Sequence, residues 1–392
     1  MFVKSVSYKE KERILLNAMS MAKPLAEKAE FQGSGVAPFV GKFGYPKVNV
    51  GLLAPPEVRE DAFRFDAPTL WAKEKLPIND VVQLRSGLVQ GKFESDVKRP
   101  DKLVSIAQEM AMAKRPVDLD VTLKSRPKVN ISTDQWVAPM GPQARLQKAE
   151  LAGNPRIHTK VQKYFDDTDI KAKEAVTELF GTVDENQLSR MLSVGVFGKQ
   201  RKLVPTRWSI TATDDMLGDH LLEGVKLLPE GEHKAYFGSH LGNYYLLLFF
   251  PEKWSYELFE MYTPSYTKSP VLEYSTDAEP FEGRKSYAEQ CAGGFYTVRL
   301  ALAEHMKGQK RQGSVLALRF ITDEYVLPLG VWVTREATRN ALSAKPITFA
   351  SRELMLTYAR QLARRKFGID LNHILGKSWL LRRQGSSLKK WF

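Results

Sequence analysis

Tyr244-Tyr-Leu-Leu-Leu-Phe-Phe-Pro-Glu-Lys-Trp-Ser-Tyr-Glu-Leu-Phe-Glu-Met-Tyr262 decides the fold class of this chain. Two runs rich in aromatic and aliphatic residues, 244–250 and 254–262, flank Pro251-Glu252-Lys253, which reads as a β-hairpin. The stretch sits in a β-rich block over 203–274, and a second β-rich region surrounds Gly44-Tyr45-Pro46, where two strands meet at a turn and end at Ala54-Pro55-Pro56. Glycines at 33, 35, 41, 44 and 51 in that region let another backbone come close. Alternation predicts a strand at 117–123 and another near 129–131. The apolar run 315–321 reads as a strand, and a further one is expected at 325–333.

Helical spacing fills the rest: 8–29 with Pro24 as a kink, most of 57–115, 143–194, 286–308, 334–343, 351–366 and about 370–381. No repeat or low-complexity tract appears. The fold class expected is α+β, a mixed and largely antiparallel sheet with many surrounding helices and a flexible C-terminal tail. The domain reading is a mixed body over 1–383, with a sub-boundary near 195–203, followed by a tail over 384–392.

Composition narrows the function. The 392 residues carry 58 Lys and Arg against 45 Asp and Glu, a formal charge of +13, which favours polyanionic partners. From Arg360 to Phe392 nine bases face one acid, so this end carries +8 of the +13, and Arg364 and Arg365 become candidate DNA contacts. The longest apolar run, 244–250, is far too short to cross a bilayer, so no membrane partner is expected and the location read is cytoplasmic and nucleoid-associated. Cys291 is the single cysteine, which excludes an intramolecular disulfide and a structural Cys-ligated zinc site; its apolar helical setting reads as core.

Three constellations carry candidate chemistry. The glycine-rich loop supplies Lys42, Tyr45, Lys47 and Asn49, able to grip phosphate or stack a base, without the Lys-Ser/Thr ending of a P-loop. Arg207-Trp-Ser-Ile-Thr-Ala-Thr213 reads as a strand with Arg207 on its polar face, running into Asp214-Asp215. Adjacent carboxylates at a strand end can hold Mg²⁺ or Mn²⁺ for phosphodiester cleavage; the plainer reading is a cap for a helix starting at Met216. His240 and Asn243 bracket a turn, and His240 is a candidate acid or base; Arg284, Tyr287 and Glu289 stand before the long helix.

Several words together resemble the archaeal Nre family of DNA repair proteins: Gly41-Lys-Phe-Gly-Tyr-Pro-Lys-Val-Asn-Val-Gly-Leu-Leu-Ala-Pro-Pro56, Val204-Pro-Thr-Arg-Trp-Ser-Ile-Thr-Ala-Thr-Asp-Asp215, Gly293-Gly294, and Leu327-Pro-Leu-Gly-Val-Trp-Val-Thr-Arg-Glu336. The likeness spans nearly the whole chain. It implies association with the sliding clamp PCNA, as in NreA-type members, and a role on DNA. Many relatives carry an N-terminal Cys-rich zinc element that this chain lacks. The clamp-binding pattern is Gln, two residues, an aliphatic, two residues and two aromatics. Leu388, Trp391 and Phe392 fit it, while the Gln position falls on Gly385 and Gln384 stands one residue early. A helical turn would gather Leu388, Trp391 and Phe392 into a compact apolar anchor.

The function expected is therefore a clamp-bound DNA repair factor with basic DNA-contacting surface and metal-dependent nuclease activity as one form. The alternatives are a non-catalytic clamp adaptor and a nucleotide-binding enzyme recruited to the clamp.

Overall fold

The computed structural model describes residues 8–98, 101–129, 140–269 and 271–388. They form two compact units: Tyr8–Leu217 with Leu327–Leu329, and Gly218–Val326 with the chain from Gly330 onward. The expected strand near 129–131 falls almost wholly outside the described residues.

The N-terminal unit runs α1 (Tyr8–Leu25), β1 (Glu30–Gly35), β2 (Ala37–Val40), β3 (Lys47–Ala54), α2 (Pro68–Lys73), α3 (Ile78–Ser86), β4 (Val89–Asp96), α4 (Lys102–Met112), β5 (Val117–Leu123), β6 (Gln143–Leu151), α5 (Thr159–Asp166), α6 (Ala172–Leu179) and α7 (Glu185–Ser193). Helix α8 (Thr206–Val225) contains the division between the units. The six strands lie in the order β1-β5-β6-β4-β3-β2, antiparallel except for the β4–β6 pair. Strand β5 shows why it forms: Val117, Leu119, Val121 and Leu123 alternate into the core. Gly33 is required because a Cβ there would lie 2.0 Å from the Pro55 carbonyl oxygen.

Two helical expectations fail here. Residues 89–96 form β4, inside the stretch read as mostly helical. Residues 143–151 form β6, and the cause is a bulge: the register shifts opposite Thr122 and Leu123, so one extra residue in β6 reverses its parity. Leu146 and Ala149, three apart, both face inward and imitate a helical spacing.

A third correction concerns 207–213, which is the first part of α8 and not a strand. Its buried side chains over 207–217 are Ser209, Thr211, Thr213, Asp214 and Leu217, so four of five are polar and the apolar period is muted. Ser209 is satisfied by the Thr206 carbonyl at 3.0 Å and by Ser189 at 3.2 Å.

The C-terminal unit continues with β7 (Lys234–His240), β8 (Asn243–Phe250), β9 (Ser255–Tyr262), α9 (Pro264–Thr267), β10 (Glu273–Glu279), α10 (Ala292–Gln309), β11 (Ser314–Ile321), α11 (Trp332–Ser343), β12 (Ile347–Thr348), α12 (Arg352–Phe367), α13 (Asn372–Lys377) and α14 (Trp379–Leu388). Its sheet has the order β10-β9-β11-β8-β7-β12, with β9 and β11 parallel and the rest antiparallel. Strands β8 and β9 are therefore not a hairpin. Strand β11, buried along its whole length, inserts between them. The 251–254 connection spans two strand spacings, roughly 9–10 Å. Beneath it the chain enters β11 at Gly313, where a Cβ would meet the Phe250 carbonyl oxygen at 2.8 Å, and the Gln312 side chain accepts the Trp254 N–H at 3.0 Å.

One face of this sheet packs Leu246, Leu248, Phe259, Leu316, Leu318 and Phe320 against α12–α14. Residues 325–331, expected as a strand, are irregular; Pro328 and Gly330, the latter at φ +105°, break the ladder before α11 begins. Cys291 is buried, though it stands just before α10 and not inside the helix expected over 286–308, and burial pushes its thiol pKa up. Both sheets are mixed and mainly antiparallel with helices around them, the fold class read from the sequence. No described helix is long and apolar enough to cross a membrane.

Candidate nucleic-acid interface

The β2–β3 hairpin builds the most distinctive surface of the N-terminal unit. Its tip is closed by Gly41 N–H on the Asn49 carbonyl at 2.8 Å and Lys47 N–H on the Gly44 carbonyl at 2.9 Å. Gly44 has φ +89°, and a Cβ there would stand 2.5 Å from the Lys47 carbonyl oxygen, so the turn demands glycine. Tyr45-Pro46 is a cis peptide. This backbone turns Phe43 and Tyr45 outward, 75% and 57% exposed, with exposed Lys42 and Lys47 beside them. The Lys42 ammonium lies 4.8 Å from the Phe43 ring centre.

Three hydrogen bonds bring other segments to the tip. Val97 N–H binds the Pro46 carbonyl at 3.0 Å, and Leu203 N–H binds the Val97 carbonyl at 3.0 Å. On the free edge of β2, Val40 N–H donates to Thr206 Oγ1 at 2.8 Å. Thr206 is held in turn by Ser193 Oγ at 3.1 Å, and Ser193 also donates to the Val204 carbonyl at 2.8 Å. The first turn of α8 thus docks on the edge of β2, carrying exposed Arg207 and Trp208, the latter 52% exposed.

The charge on these segments is mainly cationic. Lys42 and Lys47 lie at the tip, Lys98 follows Val97 and Arg207 opens α8, while Asp96 pairs with Lys47 in the β3–β4 register. Of the neighbouring acids, Asp96 accepts the Lys98 N–H at 2.8 Å and Glu94 is paired with Arg145 at 3.0 Å. Burial lowers the pKa of Lys92, with Arg145 acting in the same direction. The result is cations flanking outward-facing aromatic rings, a combination suited to phosphates and base faces.

The other sequence candidates fall elsewhere. Asp214 and Asp215 lie inside α8, at neither a strand end nor a helix start. As successive helical residues they point about 100° apart. Asp214 is buried, and among the described residues no three His, Cys, Asp or Glu side chains gather in a metal-holding group. His240, at the end of β7 in the C-terminal unit, is buried against Trp332 at 5.9 Å between ring centres, and burial depresses its pKa to about 4. It is neutral at physiological pH. Asn243 accepts from the Arg319 guanidinium, which also pairs with Glu260, and Gly294 leaves room for that carboxylate. Arg284 is spent on Asp277 and the Ala278 carbonyl.

Arg364 and Arg365 lie in the last turn of α12. Asn49 sits on β3 behind the tip, half-buried, and contributes its carbonyl to the closure. Gln384 to Leu388 continue the helical backbone of α14, while Trp391 and Phe392 lie outside the described residues. The start of α14 is anchored by Glu257 of β9, a buried carboxylate that accepts from Ser378 Oγ at 2.5 Å, Trp379 N at 2.9 Å and Leu380 N at 3.0 Å.

The family model described as Archaeal Nre, N-terminal, matches residues 11–267, and that described as Archaeal Nre, C-terminal, matches 279–391. The chain belongs to the archaeal Nre family. It is 35% identical over 327 residues to the DNA repair protein NreA of Haloferax volcanii, covering 79% of this chain and 78% of that one. Against NreB and NreA of Archaeoglobus fulgidus, both named DNA repair proteins, the identities are 32% over 349 residues and 34% over 336. These cover 88% and 84% of this chain, and 87% and 84% of the relatives. No solved structure matches the Nre chain. The break between the two Nre models, 267–279, takes in strand β10 of the C-terminal sheet, and so is not a division between compact units.

Sequence reasoning picked out Lys42, Tyr45, Lys47 and Arg207, and the Nre structure gathers them on neighbouring segments. It missed Phe43, Lys98 and Trp208. Phe43 was legible as an aromatic inside a glycine-rich turn, where it has no strand face to bury itself in. Trp208 was hidden by the strand reading, which set it with Ile210 and Ala212 on the face opposite Arg207.

Proposed function

We propose that this Nre protein acts in DNA repair by touching DNA through the Lys42–Lys47 tip and the start of α8, while Leu388, Trp391 and Phe392 hold the sliding clamp PCNA. Three relatives that align over most of their length bear the name DNA repair protein, which supports the repair role. The observation that carries DNA contact is the exposure of Phe43, Tyr45 and Trp208 among lysines and an arginine. Exposed aromatics clustered with cations mark a surface awaiting a partner that is both anionic and flat-faced.

Clamp binding rests on the spacing of Leu388, Trp391 and Phe392 and on the helix that leads to them. Gln384 stands one residue early of the pattern, so the anchor proposed is the apolar set Leu388, Trp391 and Phe392. Such aromatic anchors cost roughly 2–4 kcal/mol each on truncation. A W391A/F392A double variant should therefore lose at least about 30-fold in affinity for immobilised PCNA, with unchanged DNA affinity. Equal PCNA binding by the variant would refute the tail as the anchor.

The geometry favours a clamp-tethered DNA-binding adaptor over a nuclease built on Asp214 and Asp215, which diverge within one helix. A cleavage assay with Mg²⁺ or Mn²⁺ separates the two: activity abolished in D214A and D215A would restore the nuclease reading.

A further inference from the structure

We infer that the DNA this surface takes is single-stranded, with unpaired bases stacked on Phe43, Tyr45 and Trp208. This deepens the proposed DNA contact and rests on it. Duplex DNA presents phosphates and groove edges, and its base faces are covered by stacking on one another. A duplex must be unstacked before a ring can reach a base face, whereas an unpaired base offers its face at no such cost. The tip and the start of α8 hold three rings exposed, where unpaired bases can cover them. Phe43 and Tyr45 flank Gly44 on a turn whose backbone is fixed by its own hydrogen bonds, so they are presented without collapsing on β2 or β3. Trp208 is carried on a different element, and the Val40–Thr206 bond sets that element against the same hairpin.

The cations follow the same division of labour. Lys42 lies over the Phe43 ring at 4.8 Å, so a base that stacks on the other face of the ring meets a polarised π-system. Exposed Lys47 at the tip and exposed Arg207 at the start of α8 offer cations to the backbone of a strand that runs from one segment to the other. Stacking of this kind is sequence-tolerant, since every base has a face, and it is worth enough per ring to impose a clear preference for unpaired DNA.

The test uses the full chain and fluorescence anisotropy with one labelled oligonucleotide of about 20 bases, longer than a typical single-strand site, offered as single-stranded DNA, as duplex, as duplex with a central unpaired bubble, and as RNA. Single-stranded and bubble DNA should bind at least tenfold more tightly than duplex. F43A, Y45A and W208A should each weaken single-strand binding about 5- to 100-fold while leaving duplex binding within twofold. F43W and Y45F keep a ring and should retain the preference. Because all three side chains are more than half exposed, thermal unfolding should be unchanged, and a variant that unfolds earlier is replaced by the leucine substitution at the same position, which removes the ring and keeps apolar bulk.

Equal or tighter binding to duplex, or alanine variants that bind single strands normally, would overturn the inference while the cation-dependent DNA contact stood. Tighter binding to RNA than to DNA would overturn the assignment to DNA. Absence of salt-sensitive binding to every probe would overturn both the inference and the reading beneath it.

Discussion

Replacing Glu257 with alanine tests how the C-terminal helix is tied to the body. Glu257 is 2% exposed and accepts three hydrogen bonds, from Ser378 Oγ, Trp379 N and Leu380 N. The two amides are among the unpaired donors that begin any helix. Alanine leaves them without an acceptor in a buried setting, at about 1–3 kcal/mol per group, offset in part because a buried charge is removed as well. We expect a net loss of about 2–4 kcal/mol by urea denaturation, above the ~1 kcal/mol typical of an exposed cap. Hydrogen exchange should quicken across Trp379–Leu388 more than in β9, since Leu380 and Leu381 would lose their seat in the core.

Protonation gives the same site an independent signature. Burial raises the Glu257 pKa against the opposing pull of Ser378 and the Leu380 and Trp379 amides. A carboxyl whose folded pKa is raised contributes stability that is complete below its unfolded value and lost as pH rises through the folded value. Relative to E257Q, which cannot titrate, the wild type should therefore gain stability as pH falls from about 7 toward the ordinary glutamate value of 4.5. A loss below about 1 kcal/mol for E257A would refute the anchor, and a wild-type advantage over E257Q that shrinks on acidification would refute the raised pKa.

Other perturbations probe the packing and the buried imidazoles. G33A should destabilise the N-terminal unit by about 1–3 kcal/mol in chemical denaturation, because its Cβ meets a backbone oxygen that cannot swing away. His240 and His305 both have pKa values held down to about 4 by burial, so their contribution is present above 6.5 and lost as pH falls toward 4. An H240Q/H305Q variant should remove up to about 1.4 kcal/mol per pH unit per histidine from the acid limb of the stability profile.

What the sequence disclosed depended on whether a residue's environment was local. The tip was readable because Gly44 and Pro46 dictate a turn and a turn leaves its side chains outside. Strands β5 and β11 announced themselves by alternation or by continuous apolar character. The β8–β9 hairpin failed because a short Pro-Glu-Lys link says nothing about a third strand that arrives much later in the chain and pairs with both. Strand β6 failed because a bulge alters the side-chain period where the pairing partner alone reveals it. Helix α8 failed because its buried positions there are mostly polar, Ser209, Thr211, Thr213 and Asp214, and the Ser209 hydroxyl finds Ser189 in the preceding helix. That last failure also displaced the site, since Arg207 and Trp208 are presented by a helix start and the carboxylates that follow are spread around its axis.

Contact between DNA and the Lys42–Lys47 tip with α8 is tested most directly by the salt dependence of binding. Each phosphate contact on a single strand steepens the slope of log K against log[salt] by about 0.7. Measured between about 50 and 300 mM salt, a K42A/K47A/R207A variant should show a slope shallower by about 2 than the wild type. An unchanged slope, with affinity also intact, would mean that DNA is held elsewhere.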